Sequence, residues 1–349
     1  MVSPFPCLDL KGTPAERGEA YGAAARRQIR AARDYYLKSW GLSHADLSSR
    51  VKNLLPTLEP FAADLVEEMR GIAKGADCTF EEVVAINARN EIMFGHLPVA
   101  EGCTILAATA PATANGDVYL AQNWDWVPAL IDAPVILRIR SGNAPAILTF
   151  VDAGRVAMHG FNEAGLGLCG NYLETSSHRG VTGIPIPLLR RRLLACESVE
   201  EAVALLDSTR LVTSSNFLLC DRSGTAVDCE VTPAAVYKKR KKNPVLVHTN
   251  HFRYAANAIR DDGLERVPDS KGRADRMESL LDPEVGEIDL RTLKRALADH
   301  QGYPSSICRH GDDGPQWQTL ASHIIDLRRL TIHVAKGHPC ESEYHAVSL

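Results

Sequence analysis

A thiol follows a glycine where the sequence changes from helical to strand-like character, in the stretch Glu101-Gly102-Cys103-Thr104. A cysteine is a poor nucleophile until a base or a lowered pKa converts it to the thiolate. If the backbone breaks between Gly102 and Cys103, the new α-amino group, with an ordinary pKa of about 7.7–8, lies one side chain from the sulfur and can act as the base. Gly102 tolerates unusual torsions and leaves room for the thiol to attack its carbonyl. On these residues alone a buried strand cysteine after a turn glycine is the simpler interpretation, and self-cleavage is the alternative.

Three polar residues further along the chain can assist such a nucleophile. Asp125 ends an apolar segment that is expected to form a hairpin beside Cys103, and its carboxylate can hold the new terminal amine. Asn250 ends another apolar segment, and its amide can donate to a developing oxyanion. Arg309 offers a guanidinium that can bind a carboxylate through two hydrogen bonds. Each residue also has a common structural explanation, so their types alone leave the roles open.

The first 100 residues have the pattern of helices. Thr13-Pro14-Ala15-Glu16 and Thr79-Phe80-Glu81-Glu82 are capping boxes, in which a threonine and a glutamate three residues later satisfy free amides at a helix start. Apolar residues between them recur at helical spacing. The predicted helices are 14–40, 47–55 closed by Pro56, 60–74, and 80 to about Met93.

From Cys103 onwards the hydrophobic pattern alternates with the period of a strand, and hairpin turns such as Asn115-Gly116 separate the segments. The predicted strands are 103–109, 118–125, 135–140, 146–151, 156–161, 166–172, 215–220, 226–231, 236–239, 245–250, 319–326 and 330–334. The predicted helices among them are 187–196, 198–206, 273–281 and 290–299. Strands joined by hairpins and interrupted by helices predict one α+β domain over 1–349, with two antiparallel sheets and helices packed outside them.

Composition excludes several classes of protein. The 349 residues carry a formal net charge of −4, which gives no argument for nucleic acid or an anionic membrane as a partner. No apolar run is long enough to span a bilayer, and the first residues lack the pattern of a secretory signal, so a cytoplasmic protein is expected. The nine cysteines have irregular spacings and no CxxC pair, which argues against a disulfide framework or a zinc site. Most of them sit in apolar runs, where cysteine behaves as a small buried hydrophobe; eight are interpreted as structural residues, and Cys103 as the exception.

Motifs along nearly the whole chain resemble those of the isopenicillin N acyltransferase (acyl-coenzyme A:6-aminopenicillanic acid acyltransferase) family of cysteine N-terminal nucleophile (Ntn) hydrolases. They are Lys11-Gly12-Thr13-Pro14 with Gly18 and Gly22, Arg70-Gly71-Ile72-Ala73-Lys74-Gly75-Ala76, 87–91, Gly102-Cys103-Thr104, Gln122-Asn123-Trp124-Asp125, Gly160-Phe161-Asn162 with Ala164-Gly165, His248-Thr249-Asn250-His251 and Ser306-Ile307-Cys308-Arg309. The resemblance implies a four-layer αββα sandwich. It also implies autocatalytic cleavage between Gly102 and Cys103, giving an α-chain of 1–102 and a β-chain of 103–349 that stay associated.

The resemblance assigns roles by position. Cys103 matches the nucleophile, Asp125 the residue that supports the terminal amine, Asn250 the oxyanion-hole residue, and Arg309 a functional arginine near the site. Two serines, Ser215 and Ser306, match positions linked to processing or activity, together with the Gly102–Cys103 bond itself.

The predicted activity is hydrolysis, or transfer, of the acyl group of a small N-acyl amine, amino acid or peptide-like amide through a Cys103 thioester. No cofactor and no metal are expected, and acyl-coenzyme A is compatible as an acyl-donor substrate. The expected partners are the small-molecule substrate and the two chains of the precursor, without nucleic acid or membrane, and a higher oligomer is compatible.

Three alternatives stay open. One is an uncleaved Cys–His hydrolase with His248 or His251 as the base. Another is a metal site on those two histidines, which is disfavoured because residues three apart on a strand point to opposite faces. The last is a homologue that binds a small molecule without turnover.

Overall fold

A computed structural model describes residues 3–92, 102–142, 144–175, 183–240, 244–311 and 317–349. Glu101, and the expected end of a helix near Met93, lie outside these residues. Most of the strands fall into two sheets, as the alternating pattern predicts. The eight-stranded sheet contains, in spatial order, β1 (Cys7–Leu10), β4 (Pro134–Ile139), β5 (Ile147–Asp152), β6 (His159–Asn162), β7 (Leu166–Cys169), β8 (Ser215–Asp221), β9 (Ala226–Val231) and β10 (Val236–Arg240). The six-stranded sheet contains β11 (Val245–His248), β2 (Gly102–Ala108), β3 (Tyr119–Trp126), β12 (Gln318–Asp326), β13 (Thr331–Lys336) and β14 (His345–Ser348).

The helices lie outside the two sheets. They are α1 (Pro14–Ala24), α2 (Arg26–Trp40), α3 (His44–Ala76), α4 (Phe80–Asn87), α5 (Arg89–Ile92), α6 (Ile186–Leu193), α7 (Val199–Ser208), α8 (Gly263–Arg266), α9 (Ser270–Leu281) and α10 (Leu290–Leu297). Helix α7 contacts β8 and β9 of the eight-stranded sheet, whereas α9 and α10 contact β2, β3, β11 and β12 of the other sheet. The predicted αββα sandwich is confirmed.

Alternate residues of β2 show how the layers are joined. Ile105 and Ala107 belong to a core that also contains Phe150 of the eight-stranded sheet, so they lie between the sheets. Leu106 and Ala108 belong instead to a core with residues of α9 and α10. Because successive side chains of a strand point to opposite faces, one hairpin is buried on both sides. The nucleophile candidate is therefore carried by a rigid central strand.

Helices α1 and α3 touch backbone to backbone at a contact that we call the helix crossing. It is formed by Gly18, Gly22, Gly71 and Gly75. A Cβ built on Gly18 would lie 2.0 Å from the carbonyl oxygen of Glu68, and one on Gly71 would lie 2.3 Å from the carbonyl oxygen of Ala15. Only glycine allows such close approach of two backbones.

The N-terminal third differs from the prediction in four places. The helix expected from 80 to about Met93 is divided at Ala88 into α4 and α5. The helix expected over 14–40 is interrupted at Ala25, and the helices expected over 47–55 and 60–74 are one helix, α3, with non-helical torsions at Ala62. Pro56 lies inside α3 rather than after it. The segment Cys7–Leu10 is a strand, and it pairs with β4 in parallel, whereas the other strand pairs are antiparallel among the described residues. Strand β14 was also not predicted.

None of the described helices, including the 33-residue α3, combines the length and apolar character needed to cross a bilayer.

Candidate active site

The β2–β3 hairpin places Cys103 at the start of a buried strand. Its turn contains Gly116 at φ 66°, a left-handed conformation that glycine adopts without strain. The register pairs Gly102 with Asp125 and Cys103 with Trp124. The sequence prediction that Asp125 returns beside Cys103 is confirmed in this respect, and both side chains are buried.

Gly102 lies in a space that we call the cleavage niche, bounded by the side chains of Asp125, Arg309 and Trp317. A Cβ on Gly102 would lie 3.0 Å from Oδ2 of Asp125, 3.1 Å from Nε of Arg309 and 3.1 Å from Nε1 of Trp317. A larger residue would therefore push against a buried ion pair. The geometry favours glycine here, because a larger residue would make these side chains shift by a few tenths of an ångström, and it places the Gly102–Cys103 peptide beside Asp125 and Arg309.

Asp125 and Arg309 belong to a buried network of ion pairs. Oδ2 of Asp125 accepts from Nε of Arg309 at 3.1 Å, and Oδ1 accepts from the hydroxyl of Thr319 at 2.7 Å. Nη2 of Arg309 donates to Asp269, which also accepts from Nε of Arg273 at 2.6 Å. Each of the four side chains has a partner of opposite charge. All four can therefore stay ionised although they are largely shielded from water.

Arg273 connects this ion-pair network to Cys103, the candidate nucleophile. Its Nη1 donates to the carbonyl of Cys103 at 2.6 Å and to the hydroxyl of Thr104 at 2.9 Å. Its Nη2 donates to Oδ1 of Asn250 at 3.0 Å. Neither Arg273 nor Asp269 was among the site residues predicted from the sequence. Their spacing of four residues at the start of a helix was the available signal, since such pairs face one another.

The side-chain oxygen of Asn250 faces the backbone nitrogen of Cys103. Oδ1 accepts from the Cys103 N–H at 2.7 Å and from Arg273, and two donors on one atom identify that atom as the oxygen. Nδ2 donates one hydrogen to the carbonyl of Tyr172 at 3.3 Å and has a second hydrogen to offer. In a cleaved chain the same oxygen would accept from the α-amino group of Cys103.

Burial dominates the protonation of the two key groups in the uncleaved chain. It raises the pKa of the Cys103 thiol to about 12, and the nearby carboxylate of Asp125 adds to this, whereas Arg273 opposes it. Burial also raises the pKa of Asp125 to about 6, against the opposing effects of Arg309 and Arg273. At neutral pH the uncleaved chain therefore holds a thiol beside a carboxylate, and a thiolate requires a base.

The two candidate processing serines bond to main-chain carbonyls. Ser306 donates to the carbonyl of Cys308 at 2.6 Å, within its own loop, and Ser215 donates to the carbonyl of Asn171 at 3.1 Å. Within the described part of the chain, no hydrogen bond joins either hydroxyl to Cys103. Their roles in processing stay predictions.

The two histidines near Asn250 have other partners. Nε2 of His248 lies 3.0 Å from Glu230, and Nδ1 of His251 lies 2.8 Å from the hydroxyl of Ser270. The rings stack at 6.3 Å between centroids, so the expectation that they point to opposite faces is wrong. It fails because the strand ends at His248 and the chain turns before His251.

An arginine-rich cleft lies next to this site. It is lined by Asn87, Arg89, Asn90, Glu91, Arg155, Tyr172, Ile186, Pro187, Arg190 and Ser215. The Tyr172 carbonyl in its wall is the one that accepts from Asn250. Burial lowers the pKa of Arg89 to about 10 and that of Arg190 to about 9, so both stay protonated at neutral pH. The cleft is therefore suited to an anionic group.

Sequence comparisons identify the relatives of this chain. The family model described as acyl-coenzyme A:6-aminopenicillanic acid acyl-transferase matches residues 112–341. The acyl-coenzyme A:6-aminopenicillanic-acid-acyltransferase 40 kDa form of Emericella nidulans is 30% identical over 340 residues, which cover 94% of this chain and 92% of that protein.

Two solved structures are also similar. A variant of conjugated bile acid hydrolase from Clostridium perfringens is 17% identical, with a TM-score of 0.49 over 71% of this chain and 97% of that one. Penicillin V acylase from Agrobacterium tumefaciens is 17% identical, with a TM-score of 0.49 over 71% of this chain and 86% of that one. The assignment rests on the sequence matches, which confirm the predicted resemblance: the chain belongs to the acyl-coenzyme A:6-aminopenicillanic acid acyltransferase family.

Proposed function

We propose that the chain cleaves itself between Gly102 and Cys103, and that the new N-terminal Cys103 then removes acyl groups from small N-acylated amines or amino acids. The observation that carries this proposal is the convergence of Asn250 and Arg273 on the backbone of Cys103, beside a cleavage niche in which a residue larger than glycine would crowd Asp125 and Arg309. A strand cysteine without a function needs neither a buried guanidinium on its carbonyl nor an amide oxygen on its nitrogen.

Self-cleavage proceeds by an N-to-S acyl shift. The sulfur of Cys103 attacks the carbonyl carbon of Gly102, the C–N bond breaks, and the thiol proton passes to the leaving nitrogen. Water then adds to the thioester and releases the carboxylate of Gly102, which regenerates the thiol. Asn250 accepts from the nitrogen that becomes the amine, and Arg273 fixes the adjacent carbonyl. These contacts hold the bond in one geometry, which is a large part of the advantage of an intramolecular reaction.

Turnover uses the same atoms on a second amide. The α-amino group of Cys103 takes the thiol proton, the thiolate attacks the substrate carbonyl, and the ammonium returns the proton to the leaving amine. Water hydrolyses the thioester, or an acceptor amine takes the acyl group. Asp125 supports the ammonium as a carboxylate, since its pKa of about 6 leaves it ionised at neutral pH. The second hydrogen of Asn250 Nδ2 serves the oxyanion.

The arginine-rich cleft favours substrates with a carboxylate, such as N-acyl amino acids. Nε of Arg155 and Nε of Arg190 are buried there without a hydrogen-bond partner among the described residues. A carboxylate can take such hydrogens in charge-assisted bonds, which are stronger than neutral ones. Glu91 opposes this preference in part, because burial raises its pKa to about 7 and leaves it about half ionised at neutral pH.

The two fragments have contacts that keep them together after cleavage. Glu68 of α3 binds Nη1 of Arg191 of α6 at 3.1 Å, and both side chains are buried. Asn87 of α4 accepts from the N–H of Val156 at 2.9 Å and donates to the carbonyl of Gly154 at 2.8 Å. Strand β1 of the N-terminal fragment also belongs to the sheet formed by the C-terminal fragment.

A denaturing gel with N-terminal sequencing tests the cleavage. Purified protein should give two fragments, the larger beginning at Cys103, and the Cys103→Ala variant should give one intact chain. Cys7→Ala is the matched control, because this half-buried cysteine lies on β1 and should leave cleavage unchanged. One intact wild-type chain that is nevertheless active would contradict the mechanism. Cleaved protein that is inert towards a broad panel of acyl amides would contradict the enzymatic part alone.

A second experiment tests the substrate class. N-acyl amino acids should be hydrolysed with a lower KM than the same amides lacking the carboxylate. Arg155→Gln should raise the KM for the acids by about ten- to a hundredfold, since a hydrogen bond to a charged group contributes about 1.5–3 kcal/mol. Arg140→Gln is the matched control, because the side chain of Arg140 is exposed and pairs with Asp9. Equal KM values for both substrate series would contradict the preference. Adding acyl-coenzyme A and an acceptor amine measures transfer separately.

A further inference from the structure

Four side chains that play no part in the reaction converge at one point near the C-terminus. They are His300, Cys308, His310 and Cys340, and we call them the Cys2His2 cluster. One ligand atom from each lies within 4.8 Å of the other three. The cysteines have no disulfide partner. The loop between α10 and β12 supplies three of these residues, and the turn after β13 supplies the fourth.

Four of the six distances between the ligand atoms match those in a tetrahedron of zinc ligands, and the other two, from His300 to the sulfurs, are within 4.8 Å. The two sulfurs are 3.6 Å apart, and Nε2 of His310 lies 3.6 Å from Cys308 Sγ and 3.5 Å from Cys340 Sγ. The Nε2 atoms of His300 and His310 are 3.2 Å apart. With Zn–S of about 2.3 Å and Zn–N of about 2.0–2.1 Å, a regular tetrahedron gives separations of about 3.8 Å, 3.6 Å and 3.3 Å for these three kinds of pair. All four separations agree within about 0.2 Å, the margin used to check such sites.

Hydrogen bonding alone does not explain the arrangement. Nε2 of His310 carries either one N–H or one lone pair, so it makes one hydrogen bond in the plane of its ring. Three polar atoms nevertheless surround it at 3.2–3.6 Å, namely two sulfurs and a nitrogen. A cation at the centre would use one lone pair from each of the four ligands at once.

The surroundings also suit a metal-binding histidine. The ring of His338 stacks on that of His310, with centroids 3.8 Å apart and planes at 25°. Nδ1 of His338 lies 3.6 Å from a carboxylate oxygen of Glu341, next to Cys340. The stacked ring fixes the orientation of His310, as groups around metal sites commonly do for a ligand.

We propose that the Cys2His2 cluster binds one Zn²⁺ ion as a structural site. Four protein ligands close the coordination shell, which is the arrangement of structural rather than catalytic zinc. Two thiolates balance the charge of the ion, and binding releases two thiol protons to solvent. The expectation from sequence that no metal binds rested on the absence of a CxxC pair. It overlooked ligands that come together only when the loop and the C-terminal turn fold.

The site has a consequence for the reaction centre. Arg309 lies between two ligands, Cys308 and His310, and reaches Asp125 in the cleavage niche. An ion that fixes the backbone on both sides of Arg309 would hold its guanidinium on Asp125. Zinc is therefore assigned a positioning role without contact with the substrate.

Metal analysis of untagged protein, purified without chelator, tests the proposal. The wild type and the control Cys7→Ala should each retain about one zinc ion per chain. Cys340→Ala should retain less by a factor on the order of ten or more after dialysis, and Cys340→His should restore retention because it replaces one ligand by another. Cys340 is exposed and lies outside the catalytic groups, so the substitution should leave the fold intact.

Two further measurements keep the result decisive. Cobalt added to chelator-treated, reduced wild-type protein should give the visible bands of a tetrahedral thiolate complex, and Cys340→Ala should not. Chelator should lower the Tm of the wild type and leave that of Cys340→Ala unchanged. Reduced protein that holds no zinc and gives no cobalt bands would overturn the proposal. So would a native mass two hydrogens lighter, with a disulfide mapped to Cys308 and Cys340.

Discussion

The cleavage niche and the helix crossing both depend on glycine, yet what surrounds the glycine differs. A Cβ on Gly102 would meet side-chain atoms of Asp125, Arg309 and Trp317 at 3.0–3.1 Å. At the helix crossing a Cβ on Gly71 would meet backbone atoms of α1 from 2.3 Å. Side chains can shift by a few tenths of an ångström, but packed backbones cannot do so without moving whole helices.

We infer that glycine in the cleavage niche serves the reaction, whereas glycine at the helix crossing serves folding. The niche is lined by charged groups whose positions decide how a peptide bond can react. The crossing is lined by peptide groups whose positions decide how two helices pack. We expect substitutions in the niche to change cleavage more than stability, and substitutions at the crossing to do the reverse, unless they remove a buried charge.

The largest effect is expected from removing such a charge. Arg309→Met leaves Asp125 without its guanidinium, and Asp269 with Arg273 alone. Breaking a buried ion pair on one side costs about 3–5 kcal/mol. Denaturant unfolding should show this loss in the Cys103→Ala background, in which every chain is expected to be uncut. Arg140→Met is the control, since its exposed pair with Asp9 should contribute less than about 1 kcal/mol. Equal losses of unfolding free energy in both variants would show that the buried ion pair of the cleavage niche stabilises the fold no more than an exposed pair does.

The pH dependence of stability tests the same carboxylate. The pKa of Asp125 is about 6 in the folded chain against an ordinary 3.8, so the folded state binds more protons between these values. The free energy of unfolding should therefore fall as pH rises from about 3.8 to 6, by roughly 3 kcal/mol from this group. Comparison of Cys103→Ala with Cys103→Ala/Asp125→Asn isolates the slope, which the asparagine variant should lack. Parallel stability curves would show that burial does not raise this pKa.

Gly102→Ala should slow self-cleavage by up to the hundredfold or so that a displacement of about 1 Å in a reacting group causes, because the side chains around the new Cβ must shift. The added methyl group pushes on Asp125 and Arg309, which border the peptide that is cut. The rate is followed as the loss of intact chain on a gel after synthesis. Gly272→Ala is the control, since a Cβ there meets nothing within 4 Å. Cleavage of Gly102→Ala at the control rate would show that the niche does not set the geometry.

Local sequence patterns predicted the parts of the fold that depend on neighbours in the chain. Thr13 and Thr79 close the capping boxes that their spacing indicates. The strands on either side of Asn115-Gly116 do pair, although the connection from Thr109 to Val118 is longer than the two-residue turn that this dipeptide indicates. The alternation of apolar and polar residues predicted the strands, because successive side chains of a strand point to opposite faces and one of these faces meets a core. These patterns predicted two sheets with helices outside them, and the family resemblance implied the same arrangement as a four-layer sandwich.

Contacts between distant segments could not be predicted in this way. Strand β1 pairs in parallel with β4, more than a hundred residues later, and its four residues carry too short a pattern to indicate a partner. Pro56 indicated a helix end, but the packing of α3 across the molecule overrides that local preference. Asp269 and Arg273 looked like an ordinary helix pair until the fold placed Arg309 and Cys103 on either side of them.

Gly71→Ala gives the smallest expected effect and completes the comparison at the helix crossing. Its Cβ would lie 2.3 Å from the carbonyl oxygen of Ala15, so α1 and α3 must separate. Overpacking of this kind costs roughly 1–3 kcal/mol, reduced by the ~1 kcal/mol that alanine contributes to helix propensity. Gly272→Ala is again the control, because it changes the same residue type inside α9 without a clash and should be neutral or stabilising. Both variants should cleave at the wild-type rate once folded. A cleavage defect in folded Gly71→Ala would mean that the crossing controls the reaction centre, and that packing and chemistry are not separable in this chain.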